Sequence, residues 1–161
     1  MGLTSEMTTA DVLTSILGGQ PEVLANLTAS WHHAWTATDP YVLELCRLRI
    51  AMLLGCSAEF VSRTPIAEQA GLTESTIGAL ARWTTDSAFR PVDRACLGFT
   101  EQYVIDVSNL DEETVGAVSH HLGEAGLQDF LSALLVVEQR QRLRLAWERL
   151  FNDRLNETVN A

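Results

Sequence analysis

Apolar residues recur at helical rather than alternating spacing from about Ala10 to Leu155, and β-branched residues are scattered rather than gathered into short runs. The pattern predicts an all-α chain. Pro21 stands where a first-turn proline starts a helix, and Val23, Leu24, Leu27, Trp31 and Trp35 follow as one stripe. Asp39-Pro40 pairs a capping residue with a proline at the first helical position, opening a helix to about Leu54. Gly55 permits a bend, after which a second helix is expected from Cys56 to Ala70, stopped by Gly71. The two form a central helical hairpin. Thr64-Pro65 offers a competing cap and first position, in which case the second helix restarts there.

Downstream, Thr73 caps a short helix to about Trp83, and Thr84-Thr85-Asp86-Ser87 is the longest internal loop candidate. Pro91 opens a helix that buries Ala95, Phe99 and Tyr103 or their neighbours. Asp111 caps the helix of His120 and His121, and Gly123 with Gly126 punctuates its end. The last helix, from about Leu127 to Leu155, is apolar in its first half and charged in its second, so it should run from core to surface.

A chain of 161 residues with no long polar tract can bury one substantial core. We expect a loose polar tail over residues 1–10 and a single domain over 11–161. The first ten residues lack a secretory signal's basic start and apolar run, and no apolar run is long enough to cross a bilayer. With 11 basic against 21 acidic residues, the formal charge of −10 repels a phosphate backbone, which argues against nucleic acid as a partner. Cys46, Cys56 and Cys96 are too few and too unevenly spaced for a disulfide framework, which suggests a reducing, cytoplasmic setting.

Two residues stand out chemically. Glu44 interrupts the otherwise apolar Val42-Leu43-Glu44-Leu45-Cys46, so it is either paired, with Arg47, Arg49 or Arg63, or held with a raised pKa in a pocket as a general acid or base. Cys56 follows at +12 at a helix start, where the dipole and Arg63 lower its pKa while Glu44 and Glu59 raise it. An inert buried thiol and a reactive one are both open. His33 and Trp35, within Trp31-His32-His33-Ala34-Trp35, could border a pocket. Adjacent histidines point in different directions on a helix, so neither His32-His33 nor His120-His121 makes a paired metal site. No metal or cofactor is expected. The run Arg140 to Arg149 is interleaved with Glu138 and Glu148 and reads as a solvated face with intrahelical ion pairs or an oligomer contact, the alternative being an anionic-substrate site.

Three stretches occur in a telling order: Glu44-Leu45-Cys46-Arg47-Leu48-Arg49, then Gly55-Cys56-Ser57-Ala58-Glu59-Phe60-Val61-Ser62-Arg63, then Gly71-Leu72-Thr73-Glu74. They resemble the core of the carboxymuconolactone decarboxylase family, including its AhpD-like alkylhydroperoxidase branch. That family pattern is a Glu-Leu-x-Arg-Leu-Arg-like helix, then Gly-Cys-x-x-Cys-x-x-x-His, then a helix closing in Gly-Leu-Thr. Arg90-Pro91-Val92-Asp93-Arg94-Ala95-Cys96-Leu97 resembles the family's next helix opening, and the resemblance covers roughly residues 20 to 150.

The resemblance implies an all-helical AhpD-like fold and assembly as a trimer or hexamer, with a dimer as the alternative. It also implies Glu44 as a proton-relay carboxylate and Cys56 as the first thiol of a peroxidase site. Here the CxxC motif is degenerate: Glu59 stands for the second cysteine and Arg63 for the histidine. No local disulfide can form, and Cys46 lies too far along a rigid helix to substitute. Three functions compete on these residues. The first is an enzyme acting on a small organic substrate by carboxylate-based acid/base chemistry at Glu44, with Cys56 or His33 nearby and Glu59, Arg63 and Trp35 in the pocket. The second is a thiol peroxidase using Cys56 with an external resolving thiol. The third is a non-catalytic oligomeric protein that binds a small ligand.

Overall fold

The computed structural model describes the backbone of residues 9–159 and the side chains of residues 12–150. The tail expected over residues 1–10 lies outside the described residues except for Thr9 and Ala10, which begin the first helix. The fold is all-α, a single domain with no strand among the described residues.

In chain order the helices are α1 (Thr9–Leu17), α2 (Pro21–Ala37), α3 (Pro40–Leu54), α4 (Ser57–Val61), α5 (Pro65–Gln69), α6 (Glu74–Ala79), α7 (Pro91–Asp106) and α8 (Glu112–Val159). Short 3₁₀ turns follow α6 and α7. The starts obey local rules. Proline occupies the first turn of α2, α3, α5 and α7. The Asp39 side chain accepts from the Tyr41 amide at 2.9 Å, and Asp111 accepts from Thr114 at 2.7 Å.

α3 is the axis of the molecule. It packs against α7 and α8, while α2 lies along α8. Every residue from Val42 to Leu48 is buried, so this helix has no solvated face and its two charged residues in that stretch must find partners inside. Around it the core is built from Leu43, Leu45, Leu48, Leu97, Phe99, Phe130 and Leu134, with Phe99 and Phe130 edge to face at 5.9 Å.

Gly55 ends α3 in the left-handed conformation (φ 70°), with its amide donating to Met52 and that of Cys56 to Ala51. The return arm of the hairpin differs from the single helix expected over Cys56–Ala70. It breaks at Ser62–Thr64 and restarts with Thr64 as cap and Pro65 in the first turn. The cause is local: Pro65 has no amide proton for the carbonyl of residue 61. α8 breaks at Gly123 (φ 73°, ψ 173°), a conformation that excludes a side chain, so the last helix begins there rather than near Leu127. Phe130, Ala133, Leu134 and Val137 are buried and Leu150 is exposed, which gives the expected run from core to surface.

Candidate functional site

The hairpin brings Glu44, Cys56 and Glu59 into one neighbourhood and sends Arg63, His33 and Trp35 elsewhere. At its centre is Arg47, which the sequence presented only as one of three partners for Glu44. Glu44, Arg47 and Glu59 are 1 %, 2 % and 4 % exposed.

The Arg47 guanidinium is fully committed. Its Nε donates to Glu44 Oε2 at 2.7 Å and its Nη2 to Glu44 Oε1 at 2.7 Å, a bidentate pair set by the i, i+3 spacing on α3. Nη2 also donates to the Ser62 carbonyl at 2.8 Å, while Nη1 donates to the Glu59 carbonyl at 2.7 Å and to Glu59 Oε2 at 2.9 Å. An arginine has five N–H donors, and these bonds account for all of them. Burial works against the charge, but the hydrogen bonds and charges of Glu44 and Glu59 leave the Arg47 pKa raised.

Glu44 is equally committed. Besides Arg47, Oε2 accepts from the Thr64 hydroxyl at 2.9 Å and Oε1 from the Thr64 amide at 3.3 Å. The break before Pro65 is what turns Thr64 toward it. The carboxylate thus serves as a cap for the chain reversal, with each oxygen accepting twice. From the far side, Gln141 on α8 donates to the Arg47 carbonyl at 2.9 Å and ties the last helix to the hairpin.

Cys56, the residue preceding α4, is 1 % exposed. Burial pushes its thiol up, the Glu59 amide pulls it back down, and the Glu59 charge raises it again, leaving it above its ordinary value. All three cysteines are free and buried. Burial also raises Cys46, and the charges acting on that thiol come from Cys96 and Asp93 on α7 rather than from Cys56.

The remaining candidates are dispersed. Arg63 points outward and pairs with Glu74 at 2.6 Å. Trp35 is a core residue whose buried Nε1 has no hydrogen-bond partner. His33 is exposed on α2 beside a groove of about 420 Å³ against α8, lined also by Ala29, Ser132 and Val136. Among the described residues no group of three or more His, Cys, Asp and Glu is arranged to hold a metal.

The arginine run of α8 is mixed. Arg142 pairs with Glu138 and Arg144 with Glu148, as the interleaving predicts. Arg140 departs from a solvated face, because its guanidinium carbon lies 3.8 Å from the Trp31 ring centroid and its Nε is buried without a partner. A signal for this is present in the sequence. Arg140 has no acid three or four residues away on either side, only Val136, Val137, Leu143 and Arg144.

Comparison with solved structures gives the same architecture. A crystal structure of a protein of unknown function from Agrobacterium tumefaciens, proposed to be the antioxidant defence protein AhpD, superposes with a TM-score of 0.73. The two chains are 15 % identical, and the match covers 83 % of this chain and 92 % of the other. No match was found among curated proteins. The family model for the carboxymuconolactone decarboxylase family matches residues 21–102, the stretch that contains α2, the whole hairpin and most of α7. This chain belongs to the carboxymuconolactone decarboxylase family.

Proposed function

We propose that the chain is a non-catalytic, oligomeric ligand-binding member of this family, in which the stations of the peroxidase site have become a structural ion-pair cluster. The observation that carries this reading is the saturation of Glu44. A general acid or base needs a lone pair or proton to offer a substrate, and every bond direction of this carboxylate is taken by Arg47 and Thr64. Cys56 adds to it, since a peroxidatic thiol must be accessible and ionised, whereas this one is covered and its pKa is raised. Assembly is supported by Leu131 and Leu135, which are 37 % and 47 % exposed one turn apart on α8, with Leu135 bordering the His33 groove. Three free buried cysteines fit a reducing cytoplasm.

The test is turnover of cumene hydroperoxide with dithiothreitol as reductant, alongside Cys56 alkylation in a Cys46→Ser, Cys96→Ser background. The expected result is no turnover above that of Cys56→Ser and slow alkylation at neutral pH, because a raised pKa leaves the thiol protonated there. Turnover that disappears in Cys56→Ser, or in Glu44→Gln with the fold retained, would overturn the reading in favour of thiol or carboxylate chemistry.

A further inference from the structure

Arg140 poses a problem that the described residues do not solve. Its Nε is buried and donates to nothing. Among the described residues no carboxylate or carbonyl forms an ion pair or hydrogen bond with it, although Arg142 and Arg144 on the same helix each hold a glutamate. Its guanidinium carbon lies over the Trp31 ring at 3.8 Å. A cation over an indole is attracted to its face, yet the ring accepts no conventional hydrogen bond, so the Nε donor stays open.

The charge persists. Burial lowers the Arg140 pKa to about 10, with the field of Glu59 opposing the fall and that of Arg47 adding to it. At neutral pH the group is therefore cationic. Glu59 itself is bonded to Arg47, so its influence on Arg140 is that of a charge already shared. Leaving a cation partly buried without a hydrogen-bonded counterion is unfavourable, a cost that a bound anion would offset.

Room for such an anion lies beside it. Two clefts meet at Arg140 and Leu13. One of about 310 Å³ is lined also by Leu27 and Leu143, and another of about 200 Å³ is lined also by Leu24 and Trp31. The larger stands at the lower end of the range for small-molecule sites, roughly 300–1,000 Å³. The walls of the larger cleft are mostly aliphatic, the smaller adds Thr14 and Thr28, and the second cation at the rim, Arg142, is already paired with Glu138.

We propose that the Arg140–Trp31 cleft is a binding site for a small organic carboxylate, with the carboxylate on the Arg140 guanidinium and an apolar body against Leu13, Leu24 and Leu27. The planar fork of a guanidinium matches a carboxylate. The aliphatic walls would be wasted on a bare inorganic anion and are covered by a hydrocarbon or aromatic body. This inference gives the ligand class for the binding protein proposed above and rests on that reading.

Calorimetric titration of the full-length protein with benzoate and hexanoate, each against its neutral amide, tests it in the wild type, Arg140→Met and Arg140→Lys. In the wild type an acid binds at least about tenfold more tightly than its amide. Arg140→Met, checked for retained helicity by circular dichroism, loses that preference, while Arg140→Lys, which keeps the charge without the fork, falls between. Should Arg140→Met not fold, a several-fold loss in Arg140→Lys supports the site. The proposal is overturned by equal affinity for acid and amide, by no binding of any probe up to about 10 mM, or by a preference that survives both substitutions. The two readings fail separately. Cys56-dependent peroxide turnover sinks the non-catalytic assignment whatever the probes do, whereas equal acid and amide binding without turnover sinks only the carboxylate site.

Discussion

Two arginines, Arg47 on α3 and Arg140 on α8, carry their charge into the interior by opposite means. Arg47 spends all its donors on Glu44, Glu59 and two carbonyls. Arg140 rests on the face of an indole and has a buried donor with no partner. A saturated buried charge can only hold structure, because any substrate must first displace a partner. An unsaturated one is already prepared for a ligand.

The sharpest way to break the contrast is Arg47→Met. It strands Glu44 and Glu59 in the core, and the expected loss is about 3–5 kcal/mol, the cost typical of removing one partner from a buried pair. Urea denaturation reads it. A loss under about 1 kcal/mol would mean that water reaches the cluster, which would reopen Glu44 to acid/base chemistry.

Thr64→Val probes the same cluster more gently, by deleting the 2.9 Å hydroxyl bond to Glu44 while leaving the amide bond. Hydrogen bonds to charged groups are worth about 1.5–3 kcal/mol, and the remaining amide places this one near the low end. Thr64→Ser should recover most of it, and an equal loss in both variants would assign the effect to packing. Smallest of all is the expected stability change in Arg140→Met, within about 1 kcal/mol of wild type and of either sign, because the substitution removes an uncompensated cation as well as its contact with Trp31. A loss comparable to Arg47→Met would erase the distinction between the two arginines.

Helix starts were legible because proline and aspartate act over a few residues: Pro21, Asp39-Pro40, Pro91 and Asp111 all mark real beginnings. The Glu44–Arg47 pair was legible as a local i, i+3 possibility. What eluded the sequence is non-local. Glu59 reads as a pocket residue at the second-cysteine position, and only the fold-back through Gly55 sets it against Arg47. The glycines at 55 and 71 argued for one helix over Cys56–Ala70, yet the local chemistry of Thr64-Pro65 prevailed and delivered the second ligand of Glu44. Arg140 was grouped with its neighbours by composition, whereas the missing acids at three and four residues were the informative feature.

The break at Ser62–Thr64 has a kinetic corollary. The side-chain bonds of the Arg47 cluster within the hairpin join residues 3 to 20 positions apart, while the Gln141 bond to the Arg47 carbonyl spans 94. Loop-closure entropy grows with separation, and proteins dominated by short-range contacts fold faster. Closing the bonds within residues 44–64 therefore costs less chain entropy than docking the last helix on them. The return arm, by breaking before Pro65, makes the most buried charges of the hairpin a matter of short-range closure.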